Sequence, residues 1–291
     1  MGIINNTFNI LIEHHSVGKA FNYFTTAIKR QLITIPAFRK KWVKERIINI
    51  KGAKMPNILY DRGLAAEFLM CFEDTFTILV FYDDNYDKNI IEKVDKHLKE
   101  GPYGYKDGDF DVTVKQGDIV IDVGAWIGDF SAYAALKNAI SYSFEPVKSN
   151  FELLKQTALL NEGKIFPVQK ALGSFDGKID IALNGAGSSL ISTQTKKDNE
   201  KETINLTTLD KFVEENNIEK IDFIKADIEG AERDMIKGAI QVLKTFAPKL
   251  AICTYHLPDD PQVLEQLILE ANPNYKIVHI KHKLFACACT S

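Results

Sequence analysis

Long apolar runs, paired cysteines and low-complexity tracts are what this sequence does not have. No apolar stretch approaches the roughly 20 residues of a membrane-spanning helix, and the opening MGIINNTFNILIEHHS lacks the basic leader and apolar segment of a signal peptide. These absences set the expectation of a cytoplasmic protein. Cysteine is scarce, four among 291 residues (Cys71, Cys253, Cys287, Cys289), and no two form a C-x-x-C pair. That argues against a disulfide framework or a zinc site and for reduced thiols, with Cys287 and Cys289 facing one side of a strand. No internal repeat is present either. What remains is a chain 45% hydrophobic, long enough to bury a sizeable core as one large domain or one domain plus an extension.

Charge is unevenly spread although the whole chain is only slightly acidic, at −3; no nucleic-acid partner is expected. Residues 1–60 hold ten Lys/Arg and two Glu, for +8, which leaves −11 on the rest. In this basic part Phe21, Phe24, Ile28, Leu32 and Ile35 recur at helical spacing before Pro36 and the run Arg39, Lys40, Lys41, Lys44, Arg46. We read residues 1–60 as a basic helical N-terminal extension packed on the main domain, with peripheral contact to an anionic membrane surface as the alternative. Residues 61–111 read as a connecting α/β segment, ending in the loop GPYGYKDGDF.

From residue 112 to 291 strands and helices alternate. The periodicity predicts strand 118–123, helix 126–138, strand 139–144, helix 147–161, strand 164–171, a hairpin-like 178–191, helix 207–216, strand 221–226, helix 229–246, strand 249–255, helix 260–271 and strands 275–280 and 283–289. Such alternation is the mark of a doubly wound, Rossmann-like α/β sheet, here closed by a terminal antiparallel hairpin.

The first strand and turn, IVIDVGAWIGDFSA, have the layout that holds a nucleotide. The dinucleotide fingerprint G-x-G-x-x-G is absent, however: Trp126 stands where the second glycine must let backbone approach a pyrophosphate. An indole there disfavours a nicotinamide-dependent oxidoreductase. Asp122, just before Gly124, repels phosphate but suits a cationic ligand. Glu145 closes the second strand in SYSFEP, where an acid can accept hydrogen bonds from both hydroxyls of a ribose. A nucleoside with a positive substituent and no phosphate is S-adenosylmethionine. Plainer structural readings exist, with Asp122 as a cap of the next helix, Glu145 as a cap ahead of Pro146, and Gly124 and Gly128 serving tight packing. Jointly, though, two acids and two glycines line one crevice at the carboxyl edge of the sheet, where ligands of such folds bind.

A third constellation lies in DFIKADIEGAERDMIKGAIQVLKTFAPKLAICTYH. A strand delivers Asp227 to the same edge, Glu229 and Glu232 crowd the entrance, and His256 ends the next strand, within reach of Asp227. The structural alternatives are Asp227 as an N-cap, Glu229 paired with Arg233, and Glu232 as a favourable first-turn charge. His256 or Asp227 is expected to act as general base, with Glu229 orienting an acceptor or joining Asp227 at a divalent ion. A metal-independent enzyme is favoured, because hard ions prefer all-oxygen shells. Ser188 and Ser189, in NGAGSSLI, are candidates for contact with substrate. His279 and His282 are expected to be structural or solvent-facing.

VTVKQGDIVIDVGAWIGDFS, then YSFEP, then TTLDKFVEENNIEKIDFIKADIEGAE, with GPYGY before them and a YH after, resembles the FkbM family of S-adenosylmethionine-dependent methyltransferases over roughly residues 101–256. The resemblance implies a class I methyltransferase fold, with cofactor residues at Asp122, Gly124, Ala125, Gly128 and Glu145, and Trp126 and Pro146, on the same two turns, are expected to bind the cofactor with them. It implies O-methylation of a hydroxyl on a glycan, polyketide or related small molecule. A non-catalytic cofactor-binding scaffold is the alternative, and the oligomeric state is left open.

Overall fold

The computed structural model describes residues 46–50, 52–57, 100–182 and 201–288, and the chain divides into two compact units, Met1–Lys96 and His97–Ser291. The helical periodicity of residues 21–35, the basic run at 39–44, the elements expected between 58 and 99, Cys71, Cys289, and Ser188 with Ser189 lie outside the described residues. In the first unit, β1 (Ile47–Ile50) and β2 (Ala53–Pro56) form an antiparallel hairpin. This part of the extension is therefore strand rather than helix. β-branched Ile47, Ile48 and Ile50 favour the extended chain, and Gly52, at φ +103, turns it while donating its N–H to the Asn49 side chain.

The second unit carries the sheet. After the small hairpin β3 (Tyr105–Asp107) and β4 (Phe110–Val112) come β5 (Ile119–Val123), α1 (Asp129–Leu136), β6 (Ile140–Phe144), α2 (Lys148–Leu160) and β7 (Ile165–Val168). Then follow β8 (Ala171–Leu172), β9 (Gly177–Ala182), β10 (Lys201–Thr207), α3 (Leu209–Glu215) and β11 (Phe223–Ala226). The chain closes with α4 (Glu232–Lys237), α5 (Ile240–Thr245), β12 (Lys249–Cys253), α6 (Asp260–Ala271), β13 (Tyr275–Ile280) and β14 (Lys283–Ala288). Seven strands pair in the order β13-β14-β12-β11-β5-β6-β7, with β14 antiparallel to both its neighbours and the rest parallel. This is the doubly wound sheet with a terminal hairpin that the alternation requires.

Strand alternation decides the two faces. Ile121 and Val123, Ile224 and Ala226, and Leu250 and Ile252 turn to one face, under Phe212, Met235, Ile236, Leu243, Leu264 and Ile268 of α3 to α6. Burial of such side chains contributes about 1.5–3 kcal/mol each. The opposite face carries Val120 and, beside it, Phe223 under Phe130 of α1, and also the polar row Ser143, Asp122 and Lys225, which the register sets side by side across β6, β5 and β11.

Three elements differ from their expected course. The helix expected over 229–246 is two, α4 and α5: the backbone of Gly173 and the Thr208 side chain crowd Gly238, and Asp210 accepts from Gln241 N–H (3.0 Å) and Val242 N–H (2.9 Å), restarting the second helix. The strand expected over 164–171 leaves the main sheet after Val168, so β8 joins a separate sheet, β8-β10-β9. In that sheet β9 pairs with β10, which the pattern did not announce.

Candidate active site

The end of β5 and the end of β6 are tied together. Gly124 N–H (3.1 Å) and Ala125 N–H (2.9 Å) both donate to the Phe144 carbonyl, and Trp126 N–H donates to Glu145 Oε2 (3.0 Å). The turn needs left-handed backbone at Gly124 (φ +74), Trp126 (φ +49) and Gly128 (φ +86). For an indole residue that conformation costs about 1–2 kcal/mol, a strain that folds tolerate at binding sites. Glu145 Oε1 accepts from Val147 N–H (2.9 Å) and, at 3.4 Å, from the Asn150 amide. Burial outweighs these donors and pushes the Glu145 carboxyl up to about 7. Three donors leave one lone pair, on Oε2, and the weakest of them, Asn150 at 3.4 Å, can give way, so the carboxylate suits a ligand that brings two hydroxyls. Trp126 and Pro146 are half-buried beside it.

The other expected cofactor residues are engaged within the chain. Asp122 is fully buried, 3.1 Å from Lys225 Nζ, and accepts from the Ser131 hydroxyl at 2.6 Å. Register makes it the direct neighbour of Lys225, so its charge is already answered from within. Lys225 in turn donates to the Gly124 carbonyl (2.7 Å), and Asp122, Asp227 and Asp129 hold its ammonium protonated against the pull of burial. Ala125 packs with Ala135, Leu154 and Ile165. The space beside Gly128 is filled by Leu154 and Thr157 of α2 rather than by ligand space.

At the ends of β11 and β12 a second group forms. Asp227 Oδ2 accepts from Tyr103 O–H (2.7 Å) and Oδ1 from Tyr255 O–H (3.0 Å). Helix α4 begins only at Glu232, with Ala231 as its N-cap, so Asp227 caps nothing. Glu232 is fully buried and accepts from Ile228 N–H (2.9 Å) and Gly230 N–H (3.0 Å), which binds the DIEGAE turn to the helix start. The turn puts Glu229 at φ +54. Its suggested partner Arg233 is engaged elsewhere, with Asp259 (2.6 Å) and Asp260 (2.7 Å). His256 stands among the acids: Nδ1 is 3.0 Å from Glu232 Oε1, and Nε2 is 3.6 Å from both Asp227 Oδ1 and Glu229 Oε2. Burial disfavours a charged ring, but Glu232, Asp227 and Glu229 prevail and push the imidazole up to about 9. Burial also raises the Glu229 carboxyl, with Asp227 and Glu232 adding to it and His256 opposing.

Asp227, Glu229 and His256 are thus brought together, and Glu145 faces the same carboxyl edge from β6. The surrounding acids favour the protonated ring of His256. Two contributors escape the sequence reading: Tyr103, within GPYGY, and Tyr255, beside His256, have no role in it, whereas Glu232 is expected at the entrance, with a first-turn helix charge as the alternative. The short spacing to His256 could have flagged Tyr255. His279 pairs at the surface with Glu265 (2.7 Å), and neither Cys253 nor Cys287 is in a disulfide.

A family model described as the methyltransferase FkbM domain matches residues 122–277, more than half of the chain. The hexuronic acid methyltransferase AglP of Haloferax volcanii is 27% identical over 171 residues, which cover 57% of this chain and 67% of that protein. Among solved structures, the FkbM methyltransferase of Methylobacillus flagellatus KT is 18% identical with a TM-score of 0.47, covering 88% of this chain and 59% of its own, so the chain spans about three-fifths of that protein. The M. capricolum TrmK structure, in complex with S-adenosyl-homocysteine, is 13% identical with a TM-score of 0.34, covering 60% of this chain and 62% of that one.

Proposed function

The chain belongs to the FkbM methyltransferase family, and from that premise we propose that it transfers the methyl group of S-adenosylmethionine to a hydroxyl of a sugar, with a hexuronic acid as the first acceptor to try. The observation that carries this reading is the shared edge: the under-supplied Glu145 carboxyl on β6 and the Asp227, Glu229 and His256 group beyond β11 and β12 flank one glycine turn. The name of the archaeal relative supports the sugar-acid class.

Glu145 would accept from the two ribose hydroxyls, while Trp126 and Pro146 border the nucleoside. Bound there, S-adenosylmethionine supplies an electrophilic methyl on a sulfonium that departs as a neutral thioether. The protein therefore has mainly to align the acceptor oxygen, a contribution of roughly 7–11 kcal/mol. The acceptor proton needs a home as well. Glu229 is the member of the group that an incoming hydroxyl meets, its side chain 36% exposed against 17% for Asp227 and 6% for His256. We assign Glu229 the proton, with Asp227, pinned by two phenols, orienting the hydroxyl. A base in that place is worth about 10²- to 10⁴-fold.

Incubation with methyl-labelled S-adenosylmethionine and oligosaccharides ending in a uronic acid tests this. Label should enter the sugar and survive mild alkali, as a methyl ether does; Glu229→Gln should cut turnover by about 10²- to 10⁴-fold with cofactor affinity nearly unchanged. Label released by alkali as methanol would mean a methyl ester, and the hydroxyl assignment would fall. Tight cofactor binding with no transfer to any sugar would favour a non-catalytic scaffold.

A further inference from the structure

Asp227, Glu232 and His256 each aim a ligand atom at a common region, the three atoms lying within 4.8 Å of one another. Ligands of one divalent ion, at bonds of roughly 2.0–2.3 Å, stand at most about 4.6 Å apart, so closure by a few tenths of an ångström at most brings these three atoms into a coordination shell. Hydrogen bonding does not account for it. The His256 side chain is only 6% exposed, yet neither ring nitrogen makes a well-aimed hydrogen bond. The Glu232 contact at Nδ1 lies off the N–H direction, and at 3.6 Å Asp227 Oδ1 and Glu229 Oε2 are beyond hydrogen-bond range of Nε2. A buried imidazole whose two nitrogens face carboxylates without a well-aimed hydrogen bond has room for one further member at one nitrogen, which leaves the other as an N–H facing the remaining carboxylate.

We propose that this member is a first-row divalent metal ion, held by Asp227, Glu232 and His256, with Glu229 beside its open side. The carboxylates are already oriented as metal ligands usually are, Asp227 by the Tyr103 and Tyr255 hydroxyls and Glu232 by the Ile228 and Gly230 amides. One imidazole with two carboxylates suits Mn²⁺, Fe²⁺ or Zn²⁺, whereas Mg²⁺ and Ca²⁺ favour oxygen alone. The ion takes the imidazole in its neutral form and so replaces the ring proton. It also resolves a difficulty of the methyl-transfer reading, on which this part rests: three carboxylates would repel an anionic sugar, while a divalent cation among them would bind the sugar carboxylate and a neighbouring hydroxyl and acidify that hydroxyl.

The test is a titration of the full chain, first freed of metal, with Mn²⁺ followed by the electron paramagnetic resonance of the free ion and with Zn²⁺ by calorimetry. One ion per chain should bind, and His256→Ala and Asp227→Asn should each weaken it at least about tenfold, while Glu265→Gln, at the surface pair with His279, leaves it unchanged. S-adenosylmethionine affinity in the same variants reports that they are folded. Dissociation constants above about 1 mM for both ions, or undiminished binding by folded His256→Ala, would overturn the site. The two readings fail separately: methyl transfer that persists in EDTA removes the ion and leaves the enzyme, and tight metal binding without transfer does the reverse.

Discussion

Glu145 is 5% exposed, holds an amide N–H on each oxygen, and is still pushed by burial from 4.5 up to about 7. A carboxyl raised in the folded state contributes stability in its neutral form, complete below about 4.5 and lost as pH rises through about 7, where ionisation costs the fold roughly 3 kcal/mol. Two ribose hydroxyls would favour the ionised form and offset that cost. S-adenosylmethionine should therefore bind more tightly as pH rises toward about 7, by up to about tenfold per pH unit, then level off, and binding near pH 6 should release a proton. Calorimetry in buffers of different ionisation enthalpy measures both. Glu145→Gln should weaken binding by one to two decades, about 1.5–3 kcal/mol, and flatten the pH profile. A profile already flat in the unaltered protein would take Glu145 out of the ribose site. Asp122 shows the opposite case, an acid at a ligand edge whose partner, Lys225, is given by strand register and not by anything visible in local spacing.

At the scale of elements, the strands of the central sheet and helix α6 were legible, because apolar period and glycine punctuation agree with their burial. The exceptions share one cause, contacts made far along the chain. The break between α4 and α5 depends on Asp210 and on the backbone of Gly173, and β10 depends on a partner strand, so neither leaves a mark in its own window. The same holds in the site: Asp227 and His256 could be placed from strand ends, but Tyr103 reaches Asp227 from 124 residues away. Gly124 is where two elements meet most closely. A Cβ there would strike the Asp227 carbonyl and lie 2.8 Å from Ile228 Cγ2, and φ +74 is unfavourable to any L side chain. Gly124→Ala should thus destabilise the fold by about 1–3 kcal/mol and, by moving the DIEGAE turn, lower turnover more than that loss explains. Denaturant unfolding beside kcat and KM separates the two effects; unchanged turnover in a folded variant would show that the turn and Asp227 move independently.

At the scale of the whole molecule, both halves of the site belong to the unit His97–Ser291. The seven-stranded sheet runs from Ile119 to Ala288 within it, and the family match, residues 122–277, falls inside the same bounds. Every residue assigned to the nucleoside or to the acceptor group lies between Tyr103 and His256. The unit has its own core, from Ile121 to Ala286, and its glycine turn is held by bonds to Phe144, Glu145, Thr157 and Lys225, all within the unit. A fragment of residues 97–291 should therefore unfold cooperatively and bind S-adenosylmethionine within about threefold of the full chain, under 1 kcal/mol of difference. Calorimetry on the two proteins at one pH and salt concentration decides it. A fragment that is folded by circular dichroism but binds ten times more weakly would assign part of the cofactor site to residues before 97. One that aggregates would instead make the basic extension a cover for apolar surface, as its helical periodicity led us to expect.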